Sequence, residues 1–166
     1  MHNHHPHPKF SIITVTYNAA KVLEDTIQSI VTQTYKNLEY IIVDGGSTDG
    51  TLDIIHKYQE HITTVISEPD QGLYDAMNKG IKWATGDYLC FLNAGDGLHE
   101  DDTLLQMVHS IHGTDLPGVL YGETEIVDSQ GHFLHMRRLS APATLTWKSF
   151  KQGMLVCHQA FFARRD

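Results

Sequence analysis

Between Lys9 and His112 the chain alternates four times between short β-branched or apolar runs and stretches whose apolar residues recur at helical spacing. No other feature constrains the fold as strongly. Strands alternating with helices predict a parallel sheet with right-handed crossovers and helices on both faces, an α/β Rossmann-like architecture. The first run, Lys9 to Thr16, feeds a turn at Tyr17-Asn18. Val22, Leu23, Ile27, Ile30 and Val31 then mark a helix within residues 19–34, with Glu24 and Asp25 near its positive end. A second strand, residues 38–43, stops at the glycine-rich turn 44–50, where Ser47 or Thr48 would cap a helix over residues 51–59. Residues 63–67 form a third strand and 73–84 a helix closed by Gly86. The fourth strand runs into a tight loop, residues 88–96, and ends on the carboxylate of Asp96. Asp101 or Asp102 would cap the helix that follows, to about His112.

The rhythm changes after Gly118. A short strand is expected at 119–122 and a small antiparallel hairpin from 123–127 and 132–137, turning at residues 128–131. Residues 156–163 read as a last apolar strand holding His158 and Gln159. The chain stops abruptly at residues 161–166, so it is expected to be the N-terminal piece of a longer protein. His2, His4, His5 and His7, with Pro6 and Pro8, read as a disordered leader over residues 1–8, and 9–166 as one domain.

Composition narrows the function. A net charge of -8 argues against a nucleic-acid groove but permits a phosphate ligand, because a metal or helix N-termini offset like charge locally. No apolar run reaches about 18 residues, so no membrane-spanning helix is expected. Cys90 and Cys157 read as buried free thiols of a cytoplasmic protein.

In a parallel sheet the loops after the first, second and fourth strands share one edge. They carry Thr16-Tyr17-Asn18, Asp44-Gly45-Gly46-Ser47 and Asn93-Ala94-Gly95-Asp96. Polar loops converging there suit a nucleotide or similar ligand. The glycines are neither a Walker loop nor a dinucleotide fingerprint, lacking the required spacing. Asp96, with Asn93 nearby, is the candidate ligand for Mg²⁺ or Mn²⁺, both of which take hard oxygen donors. Asp96 as a simple helix cap is the competing reading, weakened by Asp101 and Asp102. His158 and Gln159 are candidate ligand contacts.

Five stretches together, residues 11–18, 43–51, 68–80, 91–96 and 157–165, resemble the family-2 glycosyltransferases of GT-A fold, in the branch that builds bacterial surface polysaccharides. The resemblance runs from residue 9 to the last residue. It implies that Thr16, Tyr17 and Asn18 line a nucleotide pocket and that residues 44–47 contact the base. Gly45 stands where the family usually has a second Asp that reads uracil. The family's Asp-x-Asp-Asp metal motif falls on residues 93–96, where only Asp96 remains, to hold a metal bridging the diphosphate. Asp75 and Asn78 would also face the donor.

The family's catalytic base lies beyond the His-Gln motif, and Asp166 is too close to it, so the base is expected beyond residue 166. The implied reaction is inverting transfer from a nucleotide diphosphate-sugar to a hydroxyl of a saccharide or lipid-linked saccharide, with peripheral association at the inner membrane face compatible. The alternative is a non-catalytic nucleotide-sugar-binding domain. A nucleotidyltransferase would need a basic glycine-rich loop after the first strand, and residues 17–20 are not one.

Overall fold

The computed structural model describes residues 7–113 and 115–165. Asp166 and most of the expected leader lie outside the described residues. At His7 and Pro8, read as the end of that leader, the chain is already tied down. Tyr35 donates its hydroxyl to the Pro8 carbonyl at 2.8 Å and Asn37 donates to the His7 carbonyl at 2.9 Å.

In chain order the elements are β1 (Phe10–Thr16), α1 (Leu23–Val31), β2 (Leu38–Asp44), α2 (Thr51–Lys57), β3 (Thr64–Ser67), α3 (Leu73–Trp83), β4 (Tyr88–Phe91) and α4 (Thr103–His109). β5 (Val119–Tyr121), β6 (Glu125–Val127), β7 (Phe133–Met136) and β8 (Phe161–Arg164) follow. The main sheet has the order β3-β2-β1-β4-β8-β5, and β6 pairs with β7 in a separate two-stranded sheet. β1 to β4 are parallel, as the alternation implies; β8 enters antiparallel between β4 and β5.

The period of two in β1 and β2 sorts the core into two layers. Phe10, Ile12, Tyr40 and Ile42 face one side with Tyr88 and Cys90, under Leu23, Ile27 and Ile30 of α1, Ile55 of α2, and Leu104 and Val108 of α4. Ile13, Val15, Ile41 and Val43 face the other side against Ala76 of α3 and Ala84 at its end. α3 comes close because position 80 is glycine: a β-carbon there would lie 2.5 Å from Ile13 Cγ2.

Four local expectations are corrected. Ser47 and Thr48 do not cap α2; Gly50 holds the N-cap position with φ +98°, and Asp49 Oδ1 accepts from the Thr51 amide at 3.0 Å instead. Gly86 does not close α3, which ends at Trp83 with Ala84 as its C-cap. It sits where a β-carbon would meet Lys9 O at 2.7 Å, so it permits close contact with β1. Asp102 takes the N-cap position of α4 without a capping bond; its Oδ1 accepts from Gln106 Nε2 at 2.7 Å. His158 and Gln159 lie not in a strand but in a 3₁₀ turn, His158–Ala160, that precedes β8. Their side chains bond across to the loop after β4 rather than standing on a ladder.

At the opposite end of the sheet Glu39 is almost fully buried. Its Oε1 accepts from the Ser11 hydroxyl at 2.6 Å and the Thr85 amide at 2.5 Å, and its Oε2 from Lys9 Nζ at 2.5 Å. Burial alone would raise its pKa, but these donors hold the carboxyl down at about 2.

Candidate active site

β1, β2 and β4 run parallel, so the loops at their C-terminal ends meet at one edge. In-register pairing puts Thr16 opposite Asp44. Beyond this pair the first two loops are stitched together. Asn18, with φ +48°, donates its amide to Ser47 Oγ at 2.8 Å and accepts at Oδ1 from the Thr48 amide at 2.9 Å. Ala19 donates to Thr51 Oγ1 at 2.9 Å. Asn18 and Ser47 therefore form the wall between the loops, while Tyr17 is 64% exposed at the rim.

Asp44 is fully buried and its carboxylate is saturated. It accepts from the Gly46 and Ser47 amides at 3.1 Å each, from the Ser47 hydroxyl, and from Ser67 Oγ at 2.7 Å. Thr16 Oγ1 beside it is buried and has no hydrogen-bond partner among the described residues.

The loop after β4 is anchored from beneath by α1. Thr26 Oγ1 accepts from the Gly95 amide at 2.9 Å and Ser29 Oγ from the Leu98 amide at 3.1 Å. Gly95 takes φ +98° and turns the chain so that Asp96 follows it. Gln159 Nε2 donates to Asp96 Oδ2 at 3.1 Å, and Asn93 Nδ2 lies 3.3 Å from His158 Nε2. Cys157 donates its thiol to Gln159 Oε1, which orients that amide with its nitrogen toward Asp96.

Both cysteines are free, as expected; Cys90 is buried and Cys157, against expectation, only half-buried. Burial, and then the Asp96 carboxylate, push the Cys90 thiol far up, so it stays protonated.

Residues 93, 96, 158 and 159 thus come together, and residues 16–18 and 44–47 form a second, adjoining group. Asp75 and Asn78 sit apart on α3. Asp75 accepts from the Gln71 amide at 3.1 Å and pairs with Lys79 at 3.4 Å, and these hold its carboxyl below the usual range. Asn78 is exposed on the same helix.

Sequence reasoning passed over Thr26, Ser29 and Asp70. The first two are polar positions inside the apolar stripe of α1, a signal that was available. Asp70, in the loop after β3, meets Gly45: a β-carbon at position 45 would lie 2.5 Å from Asp70 Oδ2 and 3.3 Å from Tyr17 Cδ2.

Among the described residues no group of three or more His, Cys, Asp or Glu could hold a metal. The donor set at this edge is smaller: the Asp96 carboxylate and Asn93 Oδ1, an amide oxygen that is buried and unpartnered. Two hard oxygens fit Mg²⁺ or Mn²⁺ when phosphate oxygens and water complete the shell, as Mg²⁺ commonly requires. A cleft of about 1050 Å³ opens from Asp96 and Gln159 toward the β6–β7 hairpin, past Glu100, Glu123, Glu125 and Phe133.

The profile of glycosyl transferase family 2 matches residues 11–166. The chain belongs to this family. A PGL/p-HBAD biosynthesis glycosyltransferase of Mycobacterium bovis is 39% identical over 161 residues, covering 95% of this chain and 60% of the relative. The putative teichuronic acid biosynthesis glycosyltransferase TuaG of Bacillus subtilis is 41% identical over 97 residues, 57% of this chain and 38% of TuaG.

Among solved structures, the mannosyltransferase PcManGT from Pyrobaculum calidifontis, in complex with GDP-Man and Mn²⁺, superposes with a TM-score of 0.61. It is 28% identical, over 69% of this chain and 35% of that one. The sheet and its flanking helices are those of the GT-A fold. The chain spans about 60% of the length of the mycobacterial relative.

Proposed function

We propose that the chain forms the donor-binding part of a glycosyltransferase. This enzyme moves a hexose from a nucleotide diphosphate-sugar to a hydroxyl of a saccharide or lipid-linked saccharide, with inversion, in bacterial surface polysaccharide synthesis. The observation that carries the reading is the convergence of Asp96, Asn93, His158 and Gln159 beside the stitched loops of β1 and β2. Residues 16–18 and 44–47 would enclose the nucleotide, and Asp96 with Asn93 Oδ1 would hold Mg²⁺ or Mn²⁺. Bound there, the ion would offset charge on the departing diphosphate.

Gln159 would keep Asp96 oriented, and His158 and Gln159 would contact the donor. Asp75 and Asn78, on α3, would also face the donor. The large cleft beyond Asp96 would take the acceptor, whose hydroxyl a general base would deprotonate. No helix among the described residues is long and apolar enough to cross a membrane. Work at the cytoplasmic face on a lipid-linked acceptor would proceed by peripheral association.

A second reading is a nucleotide-sugar-binding domain without transfer activity, favoured by the single acid among residues 93–96. Calorimetry with UDP, GDP and their sugars, with and without Mn²⁺, tests the shared core of both. Binding strengthened by Mn²⁺ and lost in Asp96→Ala is the expected result; no binding of any nucleotide overturns both. Sugar transfer by the full-length protein separates them.

A further inference from the structure

The resemblance implies an acid that reads the base at the position where this chain has Gly45. Each nearby carboxylate can be followed to its partners. Asp44 is saturated by four donors from Gly46, Ser47 and Ser67. Asp49 is held by Thr51 and the Ala20 amide. Asp75 is engaged by Gln71 and Lys79.

Asp70 differs from all of these. Its Oδ1 accepts from the Gly72 amide at 2.7 Å, which fixes the side chain. Its Oδ2 meets no donor among the described residues and lies 2.5 Å from where a β-carbon of residue 45 would be. The Tyr17 ring flanks that same point at 3.3 Å. Pro69 packs beside Gly46, and the Glu68 amide donates to the Asp44 carbonyl at 3.0 Å, so the loop carrying Asp70 is fastened to the one carrying Gly45.

We infer that Asp70 reads the base of the donor nucleotide, its Oδ2 taking the place of the carboxylate that residue 45 lacks. The inference rests on the nucleotide-sugar reading above. A side chain at 45 and the Asp70 carboxylate cannot both occupy that space. The chemistry then sets the base class. A carboxylate accepts from an N–H edge, which uracil offers at N3 and guanine at N1 and N2. Cytosine and adenine offer a carboxylate only an exocyclic amine, N4 or N6, and set beside it a ring-nitrogen acceptor, N3 or N1, that repels its lone pairs. Tyr17 supplies the aromatic face on which either base stacks. The site therefore selects uridine or guanosine diphosphates over their cytidine and adenosine counterparts.

Titration of the protein with UDP, CDP, GDP and ADP in the presence of Mn²⁺ is the test. The wild type is expected to favour UDP over CDP, or GDP over ADP, by roughly 10- to 100-fold, the range of a hydrogen bond to a charged group. The preferred pair tells uracil from guanine. Asp70→Asn keeps the oxygen for Gly72 but replaces the free acceptor with a donor, so the ratio should collapse toward one or invert. Gly45→Asp alone should weaken binding, because two carboxylates compete for one space. Gly45→Asp combined with Asp70→Ser should restore the discrimination. An unchanged ratio in Asp70→Asn, or a wild type that binds without discriminating, overturns this inference alone. A wild type that binds no nucleoside diphosphate overturns the proposed function with it.

Discussion

Gln159 donates to Asp96 across 63 residues of sequence, and its own carbonyl oxygen is oriented by the Cys157 thiol two residues earlier. A side chain from the turn before β8 thereby sets the direction of the acid at the end of β4. Replacing Gln159 by Leu should leave Asp96 without this donor. Mn²⁺-dependent nucleotide affinity should fall by about 3- to 10-fold, the cost of one ordinary hydrogen bond. Gln159→Glu should behave differently, weakening binding without metal and recovering it as Mn²⁺ rises. Calorimetry at two Mn²⁺ concentrations distinguishes the variants.

The hydroxyl of Thr26 is buried and holds the Gly95 amide. Thr26→Val keeps the shape and removes the acceptor. Gly95 is exposed, so water can take up part of the lost bond, and the cost is that of an ordinary hydrogen bond, about 0.5–1.5 kcal/mol. Chemical denaturation should show that loss, and the metal-dependent part of nucleotide binding should drop with it because the loop bearing Asp96 loosens. Ser29→Ala, further from the acid, should lower stability with a smaller effect on binding.

Gly80→Ala tests the contact between α3 and the sheet. In a bare helix the change would help by about 1 kcal/mol. Here the added methyl would sit 2.5 Å from Ile13 Cγ2, on a β-branched side chain in a buried strand. Overpacking typically costs about 1–3 kcal/mol, so the substitution should be neutral to destabilising by roughly 2 kcal/mol. A stabilised variant in thermal or urea unfolding would contradict this packing.

Glu39 predicts a pH dependence. Its pKa falls from 4.5 to about 2 on folding. A depressed carboxyl stabilises the folded state fully above its unfolded value and loses that contribution as pH falls through the folded one. The window is therefore pH 4.5 down to about 2, and the amount is about 3 kcal/mol. Glu39→Gln should be less stable than the wild type by that order at pH 7, with the gap closing toward pH 2. Urea titrations at several pH values measure it.

Much of this was legible in the residues alone. β1, β2 and β4 are short β-branched or apolar runs with polar loops behind them, and a parallel arrangement brings those loops to one edge whatever the details. The pairing of β8 was not legible, because nothing local to residues 161–164 specifies insertion between β4 and β5. His158 and Gln159 read as strand residues because their neighbours are apolar; only the partners Asn93 and Asp96, far away in sequence, explain the turn. Ser47 looked like a helix cap because its type favours caps, but Asp44 and Asn18 compete for the same hydroxyl and amide. Gly86 looked like a terminator, while the contact that requires it is with β1. At β8, at residues 158–159 and at Gly86 a long-range partner wins over a local preference; at Ser47 the nearby Asp44 competes as well.

The place of β8 also orders events during synthesis. β1 to β4 and their helices can pair as they leave the ribosome, since each strand's neighbour is already made. β4 keeps an open edge until residues 161–164 arrive, some seventy residues later in the chain. That same arrival delivers Gln159 to Asp96. Asp96 is translated early but acquires its orienting partner only when the sheet closes, so a nascent chain carries the joined loops of β1 and β2 before the loop after β4 is fully tied.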